Sequence, residues 1–227
     1  MKYLFILLFP MILMAQSSFE KAKENFDMDK SEQSQKQYEL ILKSDANNLK
    51  ALEALGDIAG FNKYWDKALV YYSKLKLLKP YEADYYYKYG GALGMKALAV
   101  NKFRALGMIG DIKASFEKAV ELNPKHVEAR WALIELYLKL PAIIGGSESK
   151  AIAYSNQLLS LSPVDGYLAR GHIEEYYNRY KTAEYYYKKA IAVGGSKHSY
   201  KKLASLYKDK MNEPEKAKVI LDDYKQK

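Results

Sequence analysis

Residues 52–80 read LEALGDIAGFNKYWDKALVYYSKLKLLKP, and the order of small, aromatic and imino residues in this stretch decides the fold. Leu55-Gly56 stands twelve residues before Ala68, which is followed by Tyr72, Leu75 and Pro80. Apolar side chains recurring every three or four residues mark two helices, and a proline after the second cannot continue it. The set then repeats. Shifted back by 34 it lands on Ser34, Tyr38, Ile41 and Ala46. Shifted forward by 44, which is one period plus ten inserted residues, it lands on Ile112, Phe116, Ala119 and Pro124. Ala151, Ser155, Leu158 and Pro163 follow after 39, then Gly171, Ala183, Tyr187 and Ala190, and finally Ala217, Leu221 and Tyr224. A helix pair of this size cannot bury its apolar side alone, so a fixed period means stacked pairs sharing one continuous core.

The spacing predicts first helices near 18–28, 48–61, 82–99, 126–139, 165–177 and 198–210. Second helices are expected near 31–44, 64–78, 107–122, 148–160, 180–192 and 214–226, with no strand. The pattern resembles the tetratricopeptide repeat over everything after residue 15, most clearly in Leu52-x2-Leu55-Gly56-x2-Ala59 and Tyr86-x2-Tyr89-Gly90-x2-Leu93. It departs from that pattern at Ile112, which occupies a small-residue site, at Ser155, which replaces an aromatic, and in the first unit, which lacks the glycine. The resemblance implies an all-α, right-handed α-solenoid of about six helix pairs, two of them carrying insertions. It also implies that first helices line a concave groove.

Met1-Lys2 followed by the apolar run Tyr3 to Met14 is too short to span a bilayer and has the length of a secretory signal. Cleavage is expected after Ala15, leaving residues 16–227 as the repeat domain. No cysteine follows the apolar run, so a bacterial lipoprotein anchor has no attachment point. The expected location is therefore periplasmic or secreted, without an integral membrane segment. The absence of cysteine also removes disulfides, thiolate metal sites and cysteine nucleophiles. A net charge of +9 raises the possibility of nucleic acid. The lysines, however, are scattered singly or in pairs, without the clustered arginines of a base-reading face, and nucleic acid is not expected as a partner.

The ten-residue insertion falls between Gly94 and Phe116 and is expected to lengthen both helices of its unit, with a turn near Asn101 to Phe103. The five-residue insertion contains Pro141, Gly145-Gly146 and Ser147, which read as a helix stop, a reversal and a cap. Gly145-Gly146 is not a phosphate loop, because no strand precedes it and no Gly-Lys-Ser/Thr follows. His126, His172 and His198 lie on different units without metal-ligand spacing, and no nucleophile elbow or matched acid pair occurs. No catalytic residue, cofactor or metal is expected.

These features point to a non-enzymatic protein–protein interaction scaffold or adaptor of the cell envelope, binding an extended segment in the concave groove. The alternative is a binding module for a non-protein envelope ligand such as a glycan, with exposed tyrosines as stacking platforms. In the inward stripe implied by the resemblance, Glu53, Asp57, Asp84, Glu128, Glu135, Asp165, Glu175 and Asp209 face only Lys23, Lys50 and Lys202. That sign is opposite to the charge of the whole chain and suggests a basic partner segment. The candidate contact residues are Glu53, Asp57, Tyr87, Trp131, Glu135, Leu168, His172 and Glu175, with Tyr87 and Trp131 as apolar or cation–π anchors.

Overall fold

The computed structural model describes residues 28–226, and every described element is helical. The expected signal segment, residues 18–27 of the expected first helix, and Phe19, Lys23 and Phe26 lie outside the described residues. The helices group into two compact units, one ending at Leu122 and the other beginning at Asn123.

The first unit contains α1 (Met28–Ser44), α2 (Leu49–Phe61), α3 (Trp65–Leu78), α4 (Ala83–Ala99) and α5 (Lys102–Leu122). Each helix packs on the next along the chain, as a stack of hairpins requires. The core joins Leu52 and Ala59 of α2, Ala68, Tyr72 and Leu75 of α3, and Tyr85 and Ala92 of α4. One expected boundary moves. α5 begins five residues early, at Lys102. The side chain of Asn101 accepts a hydrogen bond from the Arg104 N–H at 3.0 Å, so the helix is capped directly after the break between α4 and α5.

The second unit contains α6 (Val127–Lys139), a 3₁₀ turn (Ala142–Ile144), α7 (Glu148–Leu161), α8 (Pro163–Tyr176), α9 (Tyr180–Gly194), α10 (Lys197–Ser205) and α11 (Pro214–Lys225). Ser147 caps α7, as its position in the sequence suggests. Pro163 and Pro214 occupy first turns, where a missing N–H costs nothing, so α8 begins two residues before the expected 165. The expected helix 198–210 is not uniform. It is α-helical to Ser205 and passes into a π turn over Leu206–Lys210, where the Met211 N–H reaches back five residues to the Leu206 carbonyl.

Close approach within each pair explains the repeating residue types. A Cβ added at Gly56 would come within 2.5 Å of the Tyr72 ring, and one at Gly171 within 2.5 Å of the Tyr187 ring. At Gly90 the same added atom would meet Phe116 at 2.9 Å. The glycine of the first helix thus leaves the space that the aromatic of the second helix fills. In the α6–α7 pair the volumes are exchanged: Ile134 and Ser155 stand at the corresponding positions, and both are buried. The serine that looked like a defect in the pattern is matched by a larger residue on the opposite helix.

Three of the turns between paired helices share a feature that their residue types do not advertise. Lys63, Asn178 and Asn212 all adopt left-handed backbone, with φ of 60°, 59° and 54°, seven residues beyond Gly56, Gly171 and Ser205 respectively. After Lys63 the Tyr64 N–H donates to the Ala59 carbonyl, and after Asn178 the Arg179 N–H donates to that of Glu174, closing the helix ends. Lys63→Gly should therefore stabilise the first unit by about 0.5–1 kcal/mol, whereas Lys63→Ala, which keeps the Cβ, should stay within about 0.5 kcal/mol. Ala68 is fully buried, and Ala68→Trp should overpack and cost about 1–3 kcal/mol or more. Urea titrations of the three variants test the turn and the register together. Equal midpoints would show both to be misassigned.

Candidate partner-binding site

In the first unit, the acids of the expected stripe belong to a network. The Tyr72 hydroxyl, at the end of a buried ring, donates to Asp57 Oδ1 at 2.7 Å. Burial, with the Asp57 charge behind it, raises the pKa of that phenol. Lys88 of α4 lies between Glu53 and Asp57, with its ammonium 2.7 Å from a carboxylate oxygen of each. Burial alone would lower the pKa of Lys88, but the two carboxylates outweigh it and raise the pKa. Asp57 and Glu53 are thus held by a cation that the sequence reading left out of the stripe. Tyr87 is half-buried and tilts against Phe116 of α5, with ring centroids 6.0 Å apart.

The second unit carries the remaining candidates on α6 and α8, which with α10 are the first helices of three successive pairs. The Trp131 indole N–H donates to Asp165 Oδ1 at 3.0 Å, and its ring lies 6.5 Å from the His172 ring. Asp165 is itself fixed at the start of α8, accepting from the Ser162 hydroxyl while the Ser162 oxygen caps the Asp165 N–H. One helix turn from Trp131, Glu135 is 2.6 Å from His172 Nε2 and 2.8 Å from Lys139 Nζ. Burial would push the Glu135 carboxyl up, but the charge and hydrogen bond of His172, with Lys139 behind them, pull it down to about 2. Glu175 accepts from the Tyr187 hydroxyl at 2.7 Å. Lys202 of α10 feels both Glu175 and Glu135, yet burial is the stronger effect and lowers its pKa.

One candidate is corrected. Leu168 is only 4% exposed and belongs to the core with Tyr187, Leu203 and Leu206, so it packs the unit and is not available to a partner. Leu138 and Leu206, on α6 and beside α10, are buried as well. The expectation that the acids face only Lys23, Lys50 and Lys202 is corrected as well, because Lys88, Lys139, His172 and two tyrosine hydroxyls hold Glu53, Asp57, Glu135 and Glu175. Lys139 could have been found from its i+4 spacing to Glu135. Lys88 could not, because its contacts cross between helix pairs.

Trp131, Glu135, His172, Glu175 and Lys202 therefore form a half-buried patch whose orientation is fixed from below. Its groups can hydrogen-bond, pair with either charge and offer an indole face, but they include no nucleophile set against a base. Among the described residues no group of His, Asp and Glu is arranged to hold a metal ion, and no helix is long and apolar enough to cross a membrane.

No family model matches the sequence, and no curated protein matches it by sequence. The fold is nonetheless similar to solved tetratricopeptide-repeat structures. TTC0263, a thermophilic TPR protein of Thermus thermophilus, aligns with a TM-score of 0.64 at 18% identity, over 85% of this chain and 98% of its own. PilW, a widely conserved type IV pilus biogenesis factor, aligns at 0.58 and 18% identity, over 93% of this chain and 90% of its own. YrrB, a TPR protein with an unusual peptide-binding site, aligns at 0.50 and 18% identity, over 75% of this chain and 81% of its own. At such identities the likeness establishes the fold and leaves function to the residues.

Proposed function

We propose that this chain is a non-enzymatic interaction scaffold of the cell envelope that takes an extended, basic protein segment along its first helices. The observation that carries this reading is the α6–α8–α10 patch, in which a partly exposed indole is held in place by Asp165 beside half-buried charges. An aromatic side chain fixed before binding loses little freedom when a partner arrives, which is how a few residues come to dominate an interface. The apolar start of the sequence, with its small residue at 15, supports export. In the second unit the five acids of the stripe, Glu128, Glu135, Asp165, Glu175 and Asp209, meet two lysines, Lys139 and Lys202, and His172. The remaining excess of acid favours a basic segment. That YrrB has a peptide-binding site is consistent with the class of partner.

Panning the immobilised chain against a random-peptide phage library tests the reading. The enriched peptides should carry excess lysine and arginine, and Trp131→Ala should weaken the best of them by about tenfold or more. Enrichment of neutral or acidic peptides, or full affinity in the folded Trp131→Ala protein, would overturn it. A second reading rests on Tyr81 and Tyr185, which are 84% and 55% exposed and could serve as stacking platforms for sugars. Saturable binding on a glycan array, with no peptide enriched, would favour it.

A further inference from the structure

The α4–α5 hairpin is longer than the repeat requires. The two helices have 17 and 21 residues, against 13 and 14 in α2 and α3. At 1.5 Å per residue this carries α5 about 10 Å further than α3. Lys96 of α4 pairs with Asp66 in the first turn of α3, which marks the level where the neighbouring pair ends. Residues 97–107 extend past that level. There Leu98, Phe103 and Leu106 are 49%, 88% and 46% exposed.

Along the sequence, the charged residues beside these side chains have one sign. Lys102 and Arg104 bracket Phe103, and no acid occurs between Asp84 and Asp111. The α2–α3 turn at the same end adds Lys63, Lys67 and the 60%-exposed Tyr64. Its acid, Asp66, is taken by Lys96.

We propose that this hairpin end docks on a bilayer containing anionic phospholipid, with Phe103 and Leu106 at the boundary of headgroups and acyl chains and the cations against lipid phosphates. A projecting end with three large apolar side chains offers far less than the roughly 1,000 Å² that a stable protein–protein interface needs, and a protein partner would need a pocket shaped to receive it. A fluid bilayer needs no such pocket. It supplies an apolar interior beneath a negative surface, the complement of an apolar tip ringed by lysine and arginine. The projection of about 10 Å also matches the depth of roughly 5–10 Å to which interfacial segments insert. This hairpin end shares no residue with the α6–α8–α10 patch, and its failure would leave the proposed groove function untouched.

Because the chain has no cysteine, a single Leu106→Cys or Leu98→Cys substitution in the full chain can carry a nitrobenzoxadiazole fluorophore that reports only its own surroundings. Val219→Cys on α11, at a position 66% exposed, serves as the control. With phosphatidylcholine vesicles containing about 30 mol% phosphatidylglycerol, emission at 106 and 98 should rise about threefold and shift to the blue. Emission at 219, and at all three sites with phosphatidylcholine alone, should stay unchanged. Adding Lys102→Gln and Arg104→Gln to the labelled chain should raise the lipid concentration needed by roughly tenfold or more. The proposal is overturned by silence at both tip positions, an equal response at 219, an equal response on neutral vesicles, or indifference to removing the two cations.

Discussion

Tyr187→Ala should lower the stability of the second unit by about 3–5 kcal/mol. The Tyr187 side chain is completely buried, and its ring lies where a Cβ on Gly171 would be 2.5 Å away. Removing it opens a cavity between α8 and α9 and also strips Glu175 of its hydroxyl partner. Tyr187→Phe separates the two losses, since it keeps the ring and should cost only about 1–2 kcal/mol. A sharper test follows from the α6–α7 pair, where Ile134 and Ser155 fill the same positions with the volumes exchanged. Gly171→Ile alone should clash, and Tyr187→Ser alone should leave a hole. Together they should recover about 1–3 kcal/mol relative to the sum of the two. Strict additivity in urea unfolding would mean that these residues do not share one space, and would remove the packing account of the repeat.

That exchange also shows what a periodic pattern can and cannot convey. Gly56, Ala68 and Tyr72 mark positions where two helices meet within the repeat, so their kinds recur and the helix pairs can be read from the chain. Ser155 breaks the pattern on its own; paired with Ile134 it conserves volume. The left-handed turns at Lys63, Asn178 and Asn212 escape notice because none is glycine, and the conformation is imposed by the helix ends closing around it. The π turn at Leu206–Lys210 escapes for a related reason, since its residues are ordinary helix formers. The candidate site was harder to read. Helix phase places Trp131, Glu135 and His172 on one surface, but burial of Leu168 depends on how tightly α8 meets α9 and α10. The charge of the stripe depended on Lys88, which reaches Asp57 across 31 residues of chain. A face can be read from phase; its net charge requires knowing which neighbours reach onto it.

The ion pair at the centre of the second unit leads to the other large effect, which appears in acid. Glu135 is 17% exposed at its side chain and meets His172 of α8 and Lys139 of α6 directly. Lys202 of α10 and Glu175 of α8 lie in the same charge network. Its carboxyl is held at about 2 in the folded chain against an ordinary value of 4.5. A carboxylate depressed by folding contributes its stabilisation above the unfolded value and loses it as pH falls through the folded one. The window is therefore pH 4.5 down to about 2. Across it the second unit should lose about 2–3 kcal/mol on account of this group. Glu135→Gln removes the titration, so its acid limb should be shallower than that of the native chain even though it is less stable near neutrality. His172→Gln keeps the carboxylate but removes its main attractive partner, and the Glu135 carboxyl resonance, followed by carbon NMR, should then titrate closer to the ordinary range. Parallel acid limbs for the native chain and Glu135→Gln would show that the pair contributes nothing to the fold. An unshifted resonance in His172→Gln would instead assign the depression to Lys139, and with it the fixed orientation of the patch beside Trp131.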